Sequence, residues 1–441
     1  MPDLEQHPFV QALQCIDTAT LCGRITRITP TYVEADGPGV SLGSLCRIDR
    51  YGQASLLVEV AKVEVGRVTL VPFGPLTALH VGDRVEALTI GATLPVGQGY
   101  LGRIIDALGN PLDGKGPINH CLQRRPLAGA TTAVLDRVSP TQPLETGFRA
   151  IDSLLTLGIG QRVGIFAGSG VGKTSLLGGM ARHVAADICV LCLVGERGRE
   201  AEEFWEEALT EEARKRSIMV LASSDQPAIM RARSVLVALT LAEYFREAKS
   251  HVLLLLDSMT RYALALREIG LAAGEPPTVR AYTPSVFAAL PKVIERCGAL
   301  KQGGAITAVM TVLAESDDID DPMTDTLRAL LDGHIVLTRE LAEKRHFPAI
   351  DVPRSISRVS GRVSNKPQQR AAADAISQLS LHDSSRMLIE SGLYIAGGSS
   401  ALDRAIALRP ELMDFLRQEP TEFSSSTEST RTLQHLLGTE L

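Results

Sequence analysis

The stretch from Arg162 to Ser175 constrains the fold of this chain more than any other: apolar Val163-Gly164-Ile165-Phe166 runs into Ala167-Gly168-Ser169-Gly170-Val171-Gly172-Lys173-Thr174-Ser175. It reads as strand, phosphate loop, helix. A glycine-rich turn of this kind can curl the backbone N–H groups of Gly168, Ser169, Gly170, Val171 and Gly172 around a triphosphate. Lys173 then reaches the β- and γ-phosphates, the Thr174 hydroxyl can bind Mg²⁺, and Ser175 closes the nucleotide-binding stretch. The strict motif has glycine where Ala167 stands, so the relaxed form matches. The strand before the loop and the helix after it supply the context the motif requires.

Around this loop, between about 145 and 345, apolar strand candidates alternate with helical patterns: Arg162 to Phe166, Ile188 to Val194, Ser217 to Ala222, His251 to Asp257, Ala305 to Ala314 and His334 to Thr338. Such alternation is the signature of a mostly parallel sheet covered by helices, with ligands bound beyond the carboxyl ends of the strands. Upstream, from Leu21 to about Leu94, short β-branched runs such as Gly23 to Ile28, Ser55 to Val60 and Arg67 to Val71 are punctuated by glycine and proline. They predict a small barrel. A connector with the turn signal Gly109-Asn110-Pro111-Leu112-Asp113-Gly114 follows. After Asn365 the strands stop, alanine- and leucine-rich helical patterns take over, and Ser424-Ser425-Ser426 marks a loop before a last short helix.

At 441 residues the chain exceeds what one core usually serves. A net charge of −6 with both signs mixed gives no general pull toward nucleic acid or anionic lipid. No apolar run is as long as a membrane span, and Met1 to Gln14 lacks the regions of a signal peptide, so a cytosolic protein is expected. Seven cysteines without framework spacing fit reduced thiols. Cys189 and Cys192 form a C-x-x-C, but three apart on a buried strand they point to opposite faces. The acidic Glu315-Ser316-Asp317-Asp318-Ile319-Asp320-Asp321-Pro322 lacks the glycine and final glutamate of an EF-hand and reads as a solvated loop.

Hydrolysis needs more than a phosphate loop: a carboxylate on the metal side, a group that orients water, and positive charge for the transition state. Asp257 ends an apolar strand, where it can hold the Mg²⁺ shell beside Thr174. Glu196, in Gly195-Glu196-Arg197-Gly198-Arg199-Glu200 after another strand, is the candidate for activating water.

These segments, Ala167 to Ser175, Gly195 to Glu200 and Asp257 to Tyr262, are followed by Tyr282-Thr283-Pro284-Ser285-Val286-Phe287 and Ser355-Ile356-Ser357-Arg358-Val359. In that order the chain resembles the rotary ATPase superfamily over about residues 21 to 420. Three motifs make it most similar to the type III secretion ATPases, flagellar or virulence: Pro143-Leu144-Glu145-Thr146-Gly147-Phe148-Arg149-Ala150-Ile151-Asp152, Leu271-Ala272-Ala273-Gly274-Glu275-Pro276-Pro277 and Leu331-Asp332-Gly333-His334-Ile335-Val336-Leu337. Ala167 is the variant those ATPases use.

The resemblance implies an N-terminal extension (1–20), a β-barrel domain (21–94), a RecA-like α/β P-loop ATPase domain (95–365) and a C-terminal α-helical domain (366–441), assembled as a homohexameric ring. It implies catalytic roles for Lys173 and Glu196, Arg197 beside the phosphates, and Arg358 as an arginine finger reaching the neighbouring subunit's γ-phosphate. Phe347, in His346-Phe347-Pro348-Ala349-Ile350-Asp351, falls where ATP synthase catalytic subunits stack an aromatic on adenine, and the loop 315–322 falls where relatives face a central stalk. The implied function is Mg²⁺-dependent ATP hydrolysis that releases chaperones and unfolds cargo. It would act at the cytosolic face of the inner membrane, with a regulatory stator protein, chaperone–cargo complexes and an export gate as partners and no nucleic acid. Against the family pattern, His382-Asp383-Ser384-Ser385-Arg386-Met387 replaces an acidic patch before Leu388-Ile389-Glu390-Ser391-Gly392-Leu393-Tyr394.

Three alternatives remain at this point. A proton-translocating rotary ATPase would use the same residues in a mixed ring. A Rho-type RNA translocase shares the core, but its barrel should interleave stacking aromatics with basic residues, and here Tyr32, Tyr51 and Phe73 are the chief aromatics. A ring subunit that binds nucleotide without turnover would have no use for Glu196.

Overall fold

A computed structural model of the chain describes residues 20–88, 92–129, 134–313 and 321–438. The expected barrel is present. Strands β1 (Cys22–Ile28), β2 (Val33–Ala35), β3 (Leu45–Ile48), β4 (Leu56–Glu64), β5 (Arg67–Pro72) and β6 (Arg84–Ala87) close in the order β1-β2-β5-β4-β3-β6, every neighbour antiparallel. Alternation fills the barrel from inside: Leu56, Val58 and Val60 of β4 point in against Ile25, Val33, Ile48 and Val85. Leu94 stands outside it, on β7 (Thr93–Val96), which pairs with β9 (Gln123–Pro126) instead.

The connector does more than link domains. Within it, β8 (Arg103–Ile105) adds to the edge of the central sheet, parallel to its neighbour. A segment this short among turn residues carries no periodicity, so the sequence did not reveal it. A minor pair, β10 (Arg137–Val138) and β15 (Gly298–Leu300), hangs from the same sheet.

The sheet itself is built from β11 (Arg162–Ala167), β12 (Ile188–Glu196), β13 (Ser217–Ser223), β14 (His251–Asp257), β16 (Ala305–Leu313), β17 (Gly333–Leu337) and β18 (Ile350–Ser357), in the order β18-β17-β11-β16-β14-β12-β13-β8. All but β18 along this path are parallel. Each strand covered on both faces reads as an unbroken apolar run, which is why the six expected strands are all found, with small shifts at their ends. The antiparallel β18 tolerates Pro353 because it lies at the edge, where a missing N–H breaks no ladder bond.

Helices cover both faces and make two cores. One holds Val163, Leu177, Cys189, Leu191 and Ile335, and the C-terminal helices Lys366–Ser384, Ser400–Leu416 and Ser426–Leu437 join it through Ala375, Leu412 and Leu433. The other holds Val190, Cys192, Leu239, Leu254, Tyr262 and Val286. Cys189 and Cys192 therefore sit in opposite layers, as their spacing predicts. These three C-terminal helices, unlike the short Arg386–Glu390 between the first two, each begin at a side-chain cap: Asn365 accepts from Gln368 N, Ser399 from Leu402 N and Ser425 from Glu428 N. Among the described residues no helix is long and apolar enough to cross a membrane.

Candidate active site

The phosphate loop leaves β11 at the carboxyl edge of the sheet, between β16 and β17. Gly170 and Gly172 take the left-handed φ values of 77° and 87° that turn the chain into the helix Lys173–His183. Lys173 is its first residue. Its Nζ lies 2.7 Å from Asp257 Oδ1 and 3.7 Å from Glu196 Oε1. The carboxyl ends of β11, β14 and β12, with β16 between the first two, thus bring three sequence-predicted residues into one cluster.

Each carboxylate is held from behind. Asp257 Oδ1 also accepts from Thr311 Oγ1 at 2.7 Å. The next residue, Ser258, caps the helix Met259–Ala272 by accepting from Arg261 N, so Asp257 is free of the capping role an aspartate at a strand end often takes. At Gly195 the pairing of β12 with β13 shifts register, and the strand continues through Glu196 rather than ending before it. Arg261 fixes that bend: its Nη1 donates to the Gly195 carbonyl, and its Nη2 lies 3.4 Å from Glu196 Oε2. Burial raises the Glu196 carboxyl above the usual carboxylate range, with Asp257 adding to the rise and the cations Lys173 and Arg261 opposing it.

A cavity of about 1060 Å³ opens over this cluster, lined by Gly168, Lys173, Thr174, Glu196, Arg197 and Arg261 among others. Arg197 stands at its mouth, its side chain 82% exposed and 3.8 Å from Glu200. On the other side of the loop a second cavity of about 270 Å³ is lined by Phe347, Gly172, Ser175 and Pro420. The Phe347 ring lies so close that a Cβ on Gly172 would sit 3.3 Å from it. Phe347 gets there because β18 runs antiparallel, with its first residue beside the carboxyl end of β17.

The same strand carries Arg358 away. Ser357 pairs with Gly333 at the amino end of β17, so Arg358 follows at the edge of the sheet opposite the phosphate loop. It is exposed, and its Nη2 reaches the Arg328 carbonyl at 3.4 Å. Within one chain it does not join Lys173, Glu196 and Asp257.

Two family models match the chain: the nucleotide-binding domain of the ATP synthase alpha/beta family over residues 147–357, and the T3SS EscN ATPase C-terminal domain over residues 364–435. The flagellum-specific ATP synthase of Bacillus subtilis is 43% identical over 99% of this chain and 100% of the relative. The chain belongs to the flagellar and type III secretion ATPases. The SPI-2 type 3 secretion system ATPase of Salmonella typhimurium is 45% identical, with 91% of each chain covered. Among solved structures, the assembled ATPase EscN of enteropathogenic E. coli matches with a TM-score of 0.90 at 40% identity, covering 94% of this chain and 100% of that one.

Around this cluster the type III secretion ATPase also places residues that sequence reasoning missed. Arg261 lies inside the Asp257–Tyr262 motif, one helical turn beyond the strand end, and that spacing was the available signal. Thr311 gave none. Nor did Gln418, Glu419 and Pro420, which line the smaller cavity from the C-terminal helical region. Among the described residues no group of three or more His, Cys, Asp or Glu could hold a metal by itself. The donor set that is present, an exposed Thr174 hydroxyl and the Asp257 carboxylate, suits Mg²⁺, which binds through one or two protein oxygens plus substrate phosphates. Of the acidic stretch, 315–320 lie outside the described residues. Asp321 caps the helix Pro322–Leu330 and pairs with Arg280 at 2.7 Å.

Proposed function

We propose that this ATPase works as a homohexameric ring, with Mg²⁺, to drive type III protein export. The observation that carries the ring is the split of the machinery across the sheet: Lys173, Glu196 and Asp257 at the carboxyl edge, Arg358 at the amino edge. Each chain then holds the larger part of one site and offers the missing cation to the next. The assembled state named for EscN, and its complex with the central stalk EscO, support a ring around a stalk here as well.

In this reading the backbone of Gly168 to Gly172 and the Ser175 turn seat the phosphates, Lys173 leaves Asp257 for the β- and γ-oxygens, and Phe347 stacks on adenine. Thr174 and Asp257 would hold Mg²⁺, which when bound would supply neutralising charge to the nucleotide phosphates. Glu196 orients a water and takes its proton as the new O–P bond forms and the bond to the β-phosphate oxygen breaks, releasing ADP. Arg197 and the neighbour's Arg358 balance the charge on the γ-phosphoryl oxygens. The domain division belongs to the same proposal, with the barrel starting at 21 and ending before β7 rather than at 94, the ATPase domain running to 365 and the helical domain from 366 to 441. So do a stalk at the 315–322 loop, a regulatory stator, chaperone–cargo complexes and an export gate as partners, and a cytoplasmic place at the inner membrane. The match of the C-terminal region to the EscN family model favours export over proton translocation.

Mixing two inactive proteins tests the split site. Glu196→Gln and Arg358→Ala each remove one half, and the finger alone is worth roughly 10³ to 10⁵ in turnover. Random co-assembly rebuilds a complete site at about a quarter of the interfaces of a cyclic ring, so the mixture should regain activity that neither variant shows alone. A mixture as inactive as its components would rule out the shared site.

A further inference from the structure

We infer that Gln418 is a positioning residue for the nucleotide base: it carries no contact to the reacting atoms but sets the place of Phe347, and the Pro143–Asp152 motif acts on nucleotide through it. The inference rests on the reading of Phe347 as the adenine stack.

The smaller cavity has two walls. Phe347 and Pro348 make one, before β18; Gln418, Glu419 and Pro420 make the other, after the helix Ser400–Leu416. A backbone bond joins them directly, from Gln418 N to the Phe347 carbonyl at 2.8 Å. What holds Gln418 is its own side chain. The residue is 3% exposed, and its amide is fully used: Oε1 accepts from Arg149 N at 2.9 Å, while Nε2 donates to the Gly147 carbonyl at 2.7 Å and the Glu422 carbonyl at 2.9 Å.

Those partners belong to the motif that marked the secretion branch. Asp152, 1% exposed, accepts from Thr146 N, Thr146 Oγ1 and Gly147 N, which pins the turn that presents Gly147 and Arg149. Gly147 has a φ of 79°, and a Cβ there would meet the Phe423 ring at 2.6 Å, so the C-terminal segment can lie against this turn only because the residue is glycine. Arg149 adds two more ties, Nη1 to Glu422 Oε1 at 2.7 Å and Nη2 to the Arg417 carbonyl at 2.6 Å. From the phosphate-loop helix, Arg182 Nη2 donates to the Pro420 carbonyl at 2.6 Å. The wall is therefore fastened to the motif and to the loop helix, and Phe347 is fastened to the wall. A side chain with no hydrogen-bonding capacity at 418 would orphan the half-buried Arg149 N–H and the buried Gly147 carbonyl and free the wall to move.

The test uses the full-length protein and two probes, ADP and inorganic pyrophosphate, titrated by calorimetry. Pyrophosphate needs the phosphate loop but has no base. Gln418→Met should weaken ADP by about five- to tenfold, the worth of a buried hydrogen bond or two, and leave pyrophosphate within about twofold. Phe347→Leu should do the same. The double variant should be little worse than either single one, because the two residues act through one stack. If Phe347→Leu leaves ADP affinity intact, the stacking reading fails. If Phe347→Leu weakens ADP but Gln418→Met spares it, or weakens ADP and pyrophosphate alike, or adds fully to Phe347→Leu, the positioning role is overturned. Should the Met variant fail to fold, Gln418→Asn, which keeps the neutral amide but shortens its reach to Arg149 N and the Gly147 carbonyl, reads the same contrasts.

Discussion

Glu196 shows how a single residue's environment sets its chemistry. It is nearly buried, and Lys173 and Arg261 bring cations to within 3.7 Å and 3.4 Å of its oxygens. Burial wins, so the carboxyl titrates above the usual carboxylate range. With Glu196 as the proposed base, which must be ionised to accept a proton, turnover should fall as pH drops through that raised range. Arg261→Gln removes a charge that favours the ionised form, and the acid limb of the kcat profile should therefore move to higher pH. A limb that stayed put or moved down would show that Arg261 does not act on Glu196. The sequence revealed Asp257 and Glu196 because each lies at the end of an apolar strand, and Lys173 because it closes the glycine-rich loop after another. Phe347 came only from family resemblance, and Gln418 not at all, since its importance lies in contacts with residues some 270 positions away.

Among the elements, the turn after Pro143 is held by the buried Asp152 carboxylate, which accepts from Thr146 N, Thr146 Oγ1 and Gly147 N. Asp152→Asn turns one acceptor into a donor facing N–H groups. We expect a loss of about 2–4 kcal/mol, the cost of leaving buried backbone donors unpaired, measured as a lower urea midpoint at unchanged slope. Stability within about 0.5 kcal/mol of the parent, the scale of an ordinary surface change, would mean the turn holds itself. The parallel strands were legible because burial on both faces writes them as apolar runs. Strands at the margins were not: β8 is too short to show a period, and Pro353 inside β18 speaks against a strand until its edge position is known.

For the molecule as a whole, the barrel bears on whether nucleic acid is a partner. Of its three chief aromatics, Phe73 lies under the Arg233 guanidinium at 5.6 Å, Tyr32 is half-buried, and Tyr51 is exposed at 91%. A single free ring makes no stacking platform for successive bases. Poly(C) or poly(U) RNA should leave ATP turnover unchanged, and stimulation by either would bring back the RNA-translocase reading. The ring, by contrast, was legible only in part: Arg358 is one exposed arginine among many until the antiparallel course of β18 puts it at the far edge of the sheet.

The central sheet also separates two buried thiols. Cys189 faces the layer shared with the C-terminal helices and Cys192 the other, and burial pushes both up to about 12, so neither reacts while its layer is closed. Alkylation at one or the other then records which side of the sheet opened. Pulse labelling read by mass would give the order in which the two halves of the molecule come apart, from reporters already in the chain.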